Sequence, residues 1–230
     1  MPEQKFEFPS RGFHIVADKF GEADYFLELM REKEGHHKEF EYALSAFASA
    51  ARSITFSLQA VMSKYPEFSQ WYVPKQELLK KNKLAKFFLD LRNHLQKVGS
   101  VPVASSGSIV YGNFFSDTEF VPIPEIKEVP VGKVTELAES YLVDVLVVLK
   151  ECYNDFSAYV DPRAIFTIDG LALLGWSIED LEEALGFPRG YTDVEFEEGE
   201  KDKHRLKALS RYGGDEEMEQ YFEKYLSKCS

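Results

Sequence analysis

Apolar residues recur at helical spacing through most of the chain. The clearest pattern runs from Phe40 to Val61, where apolar side chains alternate spacings of four and three residues and form one seam over about six turns. This pattern predicts a long helix that Pro66 ends. The seam consists of Phe40, Leu44, Phe47, Ala51, Ile54, Leu58 and Val61.

The same periodicity predicts three more helical regions. A short amphipathic helix covers Glu22 to Lys33, and a second long core helix covers residues 134–156. Trp71 and Tyr72 are predicted in a connector before Pro74, and the next helix is predicted from Lys75 to Val98, with Gly99 as its stop.

Residues 100–131 lose the helical period and contain β-branched residues, aromatic residues and prolines. The sequence predicts a β-hairpin here. Its first strand ends at Tyr111, Gly112-Asn113 is the turn, and the second strand starts at Phe114. Beyond Pro162 the pattern predicts small helices, one of which starts with Ser177 as cap, Asp180 as its reciprocal partner and Trp176 packing on Leu181.

These elements predict a mainly α protein. Residues 1–160 are expected to form one helical domain, with the hairpin inserted at about 100–131. A small helical appendage over residues 161–230 is expected to pack on that domain.

Composition narrows the class of protein. The chain has 230 residues, a net charge of −12 and two distant cysteines, Cys152 and Cys229, which match no metal spacing. The start resembles no signal peptide, and the apolar run Tyr141 to Leu149 is too short to cross a bilayer. We therefore expect a cytoplasmic protein with no membrane association, no cofactor and no metal. The pair His36-His37 could bind a metal, but no cluster of carboxylates or thiols accompanies it.

Charge is unevenly distributed along the chain. Residues 101–230 carry 12 basic and 26 acidic side chains, whereas Lys75 to Lys97 holds seven cations against Glu77 and Asp90. A basic helix face is usually a solvated surface, but it is also the type of surface that binds phosphate. At the end of this helix, from Leu91 to Gly99, the arginine of this set stands beside two amide side chains and a histidine.

Three segments resemble a known family. They are Glu22 to Leu27, the run Phe40 to Gln59 containing Ser-Ala-Phe and Ala-Arg-Ser, and Leu91-Arg92-Asn93-His94-Leu95-Gln96-Lys97-Val98-Gly99. Together they resemble uncharacterised bacterial proteins of the HEPN type (higher eukaryotes and prokaryotes nucleotide-binding). The resemblance covers roughly residues 20–160 and implies that residues 1–160 form an up-down helical bundle, which often forms a homodimer.

The resemblance also implies candidate site residues. Active members are metal-independent ribonucleases with an arginine, usually followed by Asn, Asp or His, and a histidine four to six residues after the arginine. Here Arg92 and Asn93 are present, but Gln96, Lys97 and Val98 occupy the histidine positions. The catalytic candidates are Arg92, Asn93, His94 and Lys97, and the ligand-binding candidates are Arg92, Asn93, Gln96 and Lys97.

Neither substitute base fits easily. An ordinary lysine has a pKa of about 10.4, so Lys97 would be almost entirely charged at neutral pH. His94 is two residues from Arg92 and points away from it on a regular helix, unless a second subunit brings the two together. The alternatives are a surface helix position for His94 and, for Arg92, a structural role at the helix end or on Glu41.

Three functions follow, and enzymatic activity stays open among them. The first is a binding or interaction module directed at RNA or a nucleotide, which has lost the catalytic histidine. The second is a metal-independent ribonuclease with a non-standard base, His94 or Lys97. The third is a structural, dimerising helical protein.

Overall fold

The prediction of a mainly α protein with a small hairpin is confirmed. The structure is a computed structural model, and it describes residues 11–110, 113–161, 163–194, 200–212 and 217–227. The chain divides into two compact units, Ile15–Val148 and a second made of the segments Met1–His14 and Leu149–Ser230. The predicted domain boundary at residue 160 stays a prediction, since such units are not necessarily independently folding domains.

Helix α1 spans Arg11–Glu32 and α2 spans His37–Met62. The first starts eleven residues earlier than the predicted Glu22, because Phe13, Val16 and Phe20 extend its buried stripe upstream. In α2 the predicted seam is buried from Phe40 to Leu58. Both helices thus follow their apolar period, as expected for amphipathic helices in a core.

Helices α3 (Pro66–Lys81) and α4 (Lys83–Lys97) replace the single helix predicted from Lys75 to Val98. The break is at Asn82, whose extended backbone ends α3. Its Oδ1 accepts hydrogen bonds from the amides of Leu84 and Ala85, at 2.9 and 3.0 Å, and so begins α4.

The connector predicted around Trp71 and Tyr72 is wrong, because both residues lie inside α3. Pro66 occupies the start of this helix, where its missing amide donor costs nothing. Pro74 lies within α3, but it and Gln70 are exposed, so water can satisfy the carbonyl that loses its helical partner.

Strands β1 (Val103–Val110) and β2 (Asn113–Phe120) form an antiparallel hairpin. Asn113 pairs with Val110 and belongs to β2, so its predicted place in the turn is wrong. The other predicted turn residue, Gly112, lies outside the described residues, as does Tyr111. The strands are longer than predicted, since the prolines lie outside the paired segment.

Helix α5 (Val134–Asp155) is close to its prediction and completes the core of Ile15–Val148. The Phe88 ring of α4 stacks on Tyr141 of α5 at 4.8 Å, and Phe47 of α2 meets Phe88 edge-on at 5.8 Å. These three aromatic rings connect three helices at the centre of the unit.

The second unit contains short helices: α6 (Ser157–Val160), α7 (Ile168–Leu174), α8 (Ile178–Ala184), α9 (Lys201–Leu209) and α10 (Glu217–Leu226). The predicted cap of α8 is confirmed, since Ser177 and Asp180 exchange hydrogen bonds of 2.8 and 3.2 Å. Trp176 packs against the apolar cluster that contains Leu181. Within the part of the chain that the structure describes, no helix is both long and apolar enough to cross a membrane.

Candidate functional site

Arg92 lies half-buried near the end of α4. Its Nη1 donates to Oδ1 of Asn93 at 3.2 Å, and its Nε is buried without a hydrogen-bond partner in the described structure. The predicted alternative partner, Glu41, instead accepts from Lys38 at 2.8 Å, and its Oε1 lies 3.0 Å from His37 Nε2. The suggested role of Arg92 in holding Glu41 is therefore wrong.

His94 is buried, with 7% of its surface exposed, so the expected surface position is wrong. Its Nε2 lies 3.1 Å from the carbonyl oxygen of Ser100. Nε2 also lies 3.3 Å from the Ser100 hydroxyl oxygen, and the tautomer that carries the proton on Nε2 donates it to the carbonyl. The chain after α4 folds back to supply that carbonyl. His94 follows the buried Phe87 and Leu91 at helical spacing, so it lies on the buried face of α4. His94 therefore holds the chain after α4.

The other predicted site residues lie on one side of the helix end. Arg92 and Gln96 are one turn apart, as are Asn93 and Lys97, so these four side chains cover adjoining faces. Gln96 and Lys97 are exposed, and Lys97 makes no ion pair with any described carboxylate. The structure brings these four residues together and turns His94 away into the core.

Sequence reasoning missed a pocket between α2, α3, α4 and α5, within Ile15–Val148. Its volume is about 360 Å³. The polar lining residues are Arg52, Thr55, Gln59, Gln76, Lys80 and Lys86, and the aromatic ones are Phe56, Tyr72 and Tyr141. We call this space the Arg52 pocket.

Arg52 is fixed by its own helix. Its guanidinium lies 4.3 Å from the centre of the Phe56 ring, and its Nη1 donates to Thr55 Oγ1 at 3.1 Å. Such stacking keeps the planar fork oriented while leaving its charge uncompensated. No described carboxylate forms an ion pair with Arg52.

The charged side chains that line the Arg52 pocket are all positive. Its lining includes three cations, Arg52, Lys80 and Lys86, and no carboxylate. Lys80 is partly neutralised by Glu77 at 2.7 Å on the surface. Asp144 is near Tyr141 on α5, but its Oδ2 accepts from the Asn82 amide at 2.7 Å.

Tyr141 forms a rigid wall of the pocket, since its ring stacks on Phe88 with only 8° between the planes. Burial raises the pKa of its phenol, although the positive charge of Arg52 acts in the opposite direction. The phenol therefore stays protonated at neutral pH and can donate a hydrogen bond.

A weak sequence signal for the pocket did exist. Arg52 and Gln59 are polar residues two turns apart beside the apolar seam of α2, and Thr55 is buried between them. A polar stripe bordering a core seam indicates either a solvated edge or a lined cavity. The three other helices that close this space are distant in sequence, so the sequence could not distinguish the two.

Metal chemistry finds no support in the described side chains. Among the residues described, no group of three or more His, Cys, Asp and Glu residues is arranged to hold a metal ion. Both locations offer arginine, lysine and amide donors, which bind anions, and the Arg52 pocket adds a phenol and aromatic surface.

The fold and these two locations define a mainly α protein with cationic sites on α2 and α4. Residues 30–117 are similar to a family described as bacteriophage lambda protein ea47. The matched segment is less than half of the chain, and it includes both Arg52 and Arg92. No curated protein and no solved structure matches the chain. The family description names a phage protein and no activity, so it assigns no ligand to this chain.

Proposed function

We propose that the chain is an HEPN-like binding module directed at the phosphate groups of RNA or a nucleotide. Its proposed contact surface is the end of α4, formed by Arg92, Asn93, Gln96 and Lys97. The homodimer expected from the HEPN resemblance and a cytoplasmic location belong to the same proposal.

The observation that carries this proposal is the state of Arg92. Its only described hydrogen bond is to the neighbouring Asn93 amide at 3.2 Å, and no carboxylate among the described residues compensates its charge. A half-buried guanidinium without a counter-ion gains from binding an external anion. An arginine kept only for structure would be expected to pair with a carboxylate, as Arg31 does with Glu28 at 2.9 Å.

The surroundings of Arg92 favour a phosphate ligand. Helices α3 and α4 carry seven cations against three acids, Glu67, Glu77 and Asp90. Lys97 and Gln96 project from exposed positions one turn beyond Asn93 and Arg92. A cation patch of this kind supplies the salt-dependent part of nucleic-acid binding.

Binding is favoured over RNA cleavage at this location. Cleavage needs a base near the 2′-hydroxyl, but His94 is buried and its Nε2 faces Ser100. Lys97 is exposed, whereas lysines that act as general bases are typically buried. The competing ribonuclease hypothesis would require a base from elsewhere.

Fluorescence anisotropy with a labelled single-stranded RNA, in low salt and EDTA, tests the proposal. We expect Arg92→Gln to weaken binding about tenfold or more, because a charge-assisted hydrogen bond contributes about 1.5–3 kcal/mol. Arg31→Gln is the matched control, since that guanidinium is already compensated by Glu28 and Glu139. Circular dichroism checks that each variant is folded.

The outcomes separate the three functions. Equal binding by the wild type and Arg92→Gln, or no binding of RNA or ATP by either, would overturn the proposal. Cleavage of the RNA in EDTA that disappears in Arg92→Gln would favour the ribonuclease. Sedimentation of the wild type as a monomer at micromolar concentration would contradict the expected homodimer.

A further inference from the structure

We propose that the Arg52 pocket binds a small organic anion, namely a phosphate monoester or a carboxylate attached to an apolar ring. This goes beyond the proposed function, because it concerns a different arginine on a different helix and a ligand smaller than RNA.

The size of the pocket fits such a ligand. A dry cavity of about 150 Å³ is enough to hold one benzene molecule. The Arg52 pocket, at about 360 Å³, therefore has room for one ring and an anionic group, and it lies at the lower end of the range of about 300–1,000 Å³ for ligand sites.

The charge of the pocket selects an anion. Arg52 stacks on Phe56 and bonds only to the neutral Thr55 hydroxyl, so its positive charge is not compensated by a described carboxylate. Lys86 adds a second cation on α4 and likewise makes no ion pair with a described carboxylate. An anion entering this space replaces solvation of both charges with direct, charge-assisted hydrogen bonds.

The remaining donors are also unused. The side-chain amides of Gln59 and Gln76 line the pocket and make no hydrogen bond within the described residues. The protonated Tyr141 phenol is a third neutral donor on the wall. A site lined by cations and neutral donors accepts a carboxylate or a phosphate and disfavours a cation.

The apolar part of the pocket lining is the reason that the proposed ligand carries an apolar ring. Tyr141 and Ala85 are buried, while Leu89 and Val145 extend the apolar surface between them. Exposed Phe56, Lys80 and Lys86 lie at the solvent side of the lining. A ring packed on the buried side, with its anionic group toward Arg52, matches this gradient from apolar to cationic.

Isothermal titration calorimetry on the full chain tests this inference with four probes. Phenyl phosphate and benzoate carry both a ring and an anion, benzyl alcohol carries only the ring, and inorganic phosphate carries only the anion. We expect saturable binding of phenyl phosphate or benzoate, with benzyl alcohol and inorganic phosphate at least about tenfold weaker. Comparing phenyl phosphate with benzoate identifies which anion the pocket prefers.

Two substitutions at Arg52 locate the binding. We expect Arg52→Gln to weaken binding of the preferred probe about tenfold or more, whereas Arg52→Lys should lose less because it keeps the charge. Arg31→Gln is the matched control and should bind this probe like the wild type, since that guanidinium is already compensated by Glu28 and Glu139. RNA binding by Arg92→Gln tests the proposed function independently, so the two proposals can fail separately.

Three results would overturn the inference. The first is no saturable binding of either ring-bearing anion. The second is benzyl alcohol binding as tightly as phenyl phosphate, which would indicate an apolar cavity without anion selectivity. The third is unchanged binding in Arg52→Gln while the variant keeps the wild-type circular dichroism spectrum.

Discussion

Replacing Asn82 should destabilise the Ile15–Val148 unit through two separate interactions. Its Oδ1 caps α4 by accepting from Leu84 and Ala85, and its Nδ2 donates to Asp144 at 2.7 Å. Loss of an N-cap costs about 1 kcal/mol. A hydrogen bond to a carboxylate contributes about 1.5–3 kcal/mol, which partial exposure of Asn82 reduces to about 1–2. We therefore expect Asn82→Ala to cost about 2–3 kcal/mol.

Unfolding can be measured for the unit Ile15–Val148 alone. The chain has two tryptophans, Trp71 on α3 and Trp176 in the other unit. In a Trp176→Phe background, the fluorescence of Trp71 during urea unfolding reports the unit that contains Asn82. The change in midpoint, at an unchanged slope, gives the loss in free energy of unfolding.

A shorter cap separates the two contributions. Serine can cap α4 but cannot reach Asp144, so Asn82→Ser should cost only the part of the loss that comes from Asp144, about 1–2 kcal/mol. Introducing Asn82→Ala into an Asp144→Ala background should cost only the cap. Equal losses for Asn82→Ala and Asn82→Ser, or a full loss in the Asp144→Ala background, would refute this reasoning.

Three further predictions concern the unit that contains Leu149–Ser230. Burial alone would raise the pKa of Glu182, but hydrogen bonds mainly from Thr192, and also from Arg205 and Gly190, hold it at about 2. The contribution of Glu182 to the free energy of unfolding, about 3 kcal/mol, should be complete above its unfolded pKa of about 4.5 and disappear as the pH falls toward 2. Glu182→Gln should therefore flatten the acid dependence of urea unfolding. Gly170→Ala should cost about 1–3 kcal/mol in the same assay despite the better helix propensity of alanine, because its Cβ would lie 1.9 Å from the Ala164 carbonyl oxygen. Burial raises the pKa of Cys152 to about 12, so a Cys229→Ser chain should react with Ellman's reagent only after unfolding, and rapid reaction of the folded chain would contradict this.

Much of the fold follows from local sequence. The seam from Phe40 to Leu58, the buried face of α5 and the Ser177 cap all depend on residues within a few turns of each other. Asn82 was missed because its neighbours form a lysine-rich helical pattern, and its partner Asp144 is 62 residues away. The turn of the hairpin was misplaced by one residue because several short loops suit the same Gly-Asn sequence.

The candidate site was only partly predictable. Arg92, Asn93, Gln96 and Lys97 share one helix, so their proximity follows from helical geometry. Burial of His94 follows from its helical spacing to Phe87 and Leu91, whereas its contact with Ser100 depends on the path of the chain after α4. The Arg52 pocket needs α2, α3, α4 and α5 together, so polar residues in α2 were visible while the cavity was not.

The salt dependence of RNA binding tests the central claim about Arg92 most directly. For single strands, the logarithm of the binding constant falls with the logarithm of salt concentration by about 0.7 for each phosphate neutralised. We expect this slope to decrease by about 0.7 in Arg92→Gln and to stay unchanged in Arg31→Gln. The same slope in the wild type and Arg92→Gln would show that Arg92 contacts no phosphate and would contradict the account.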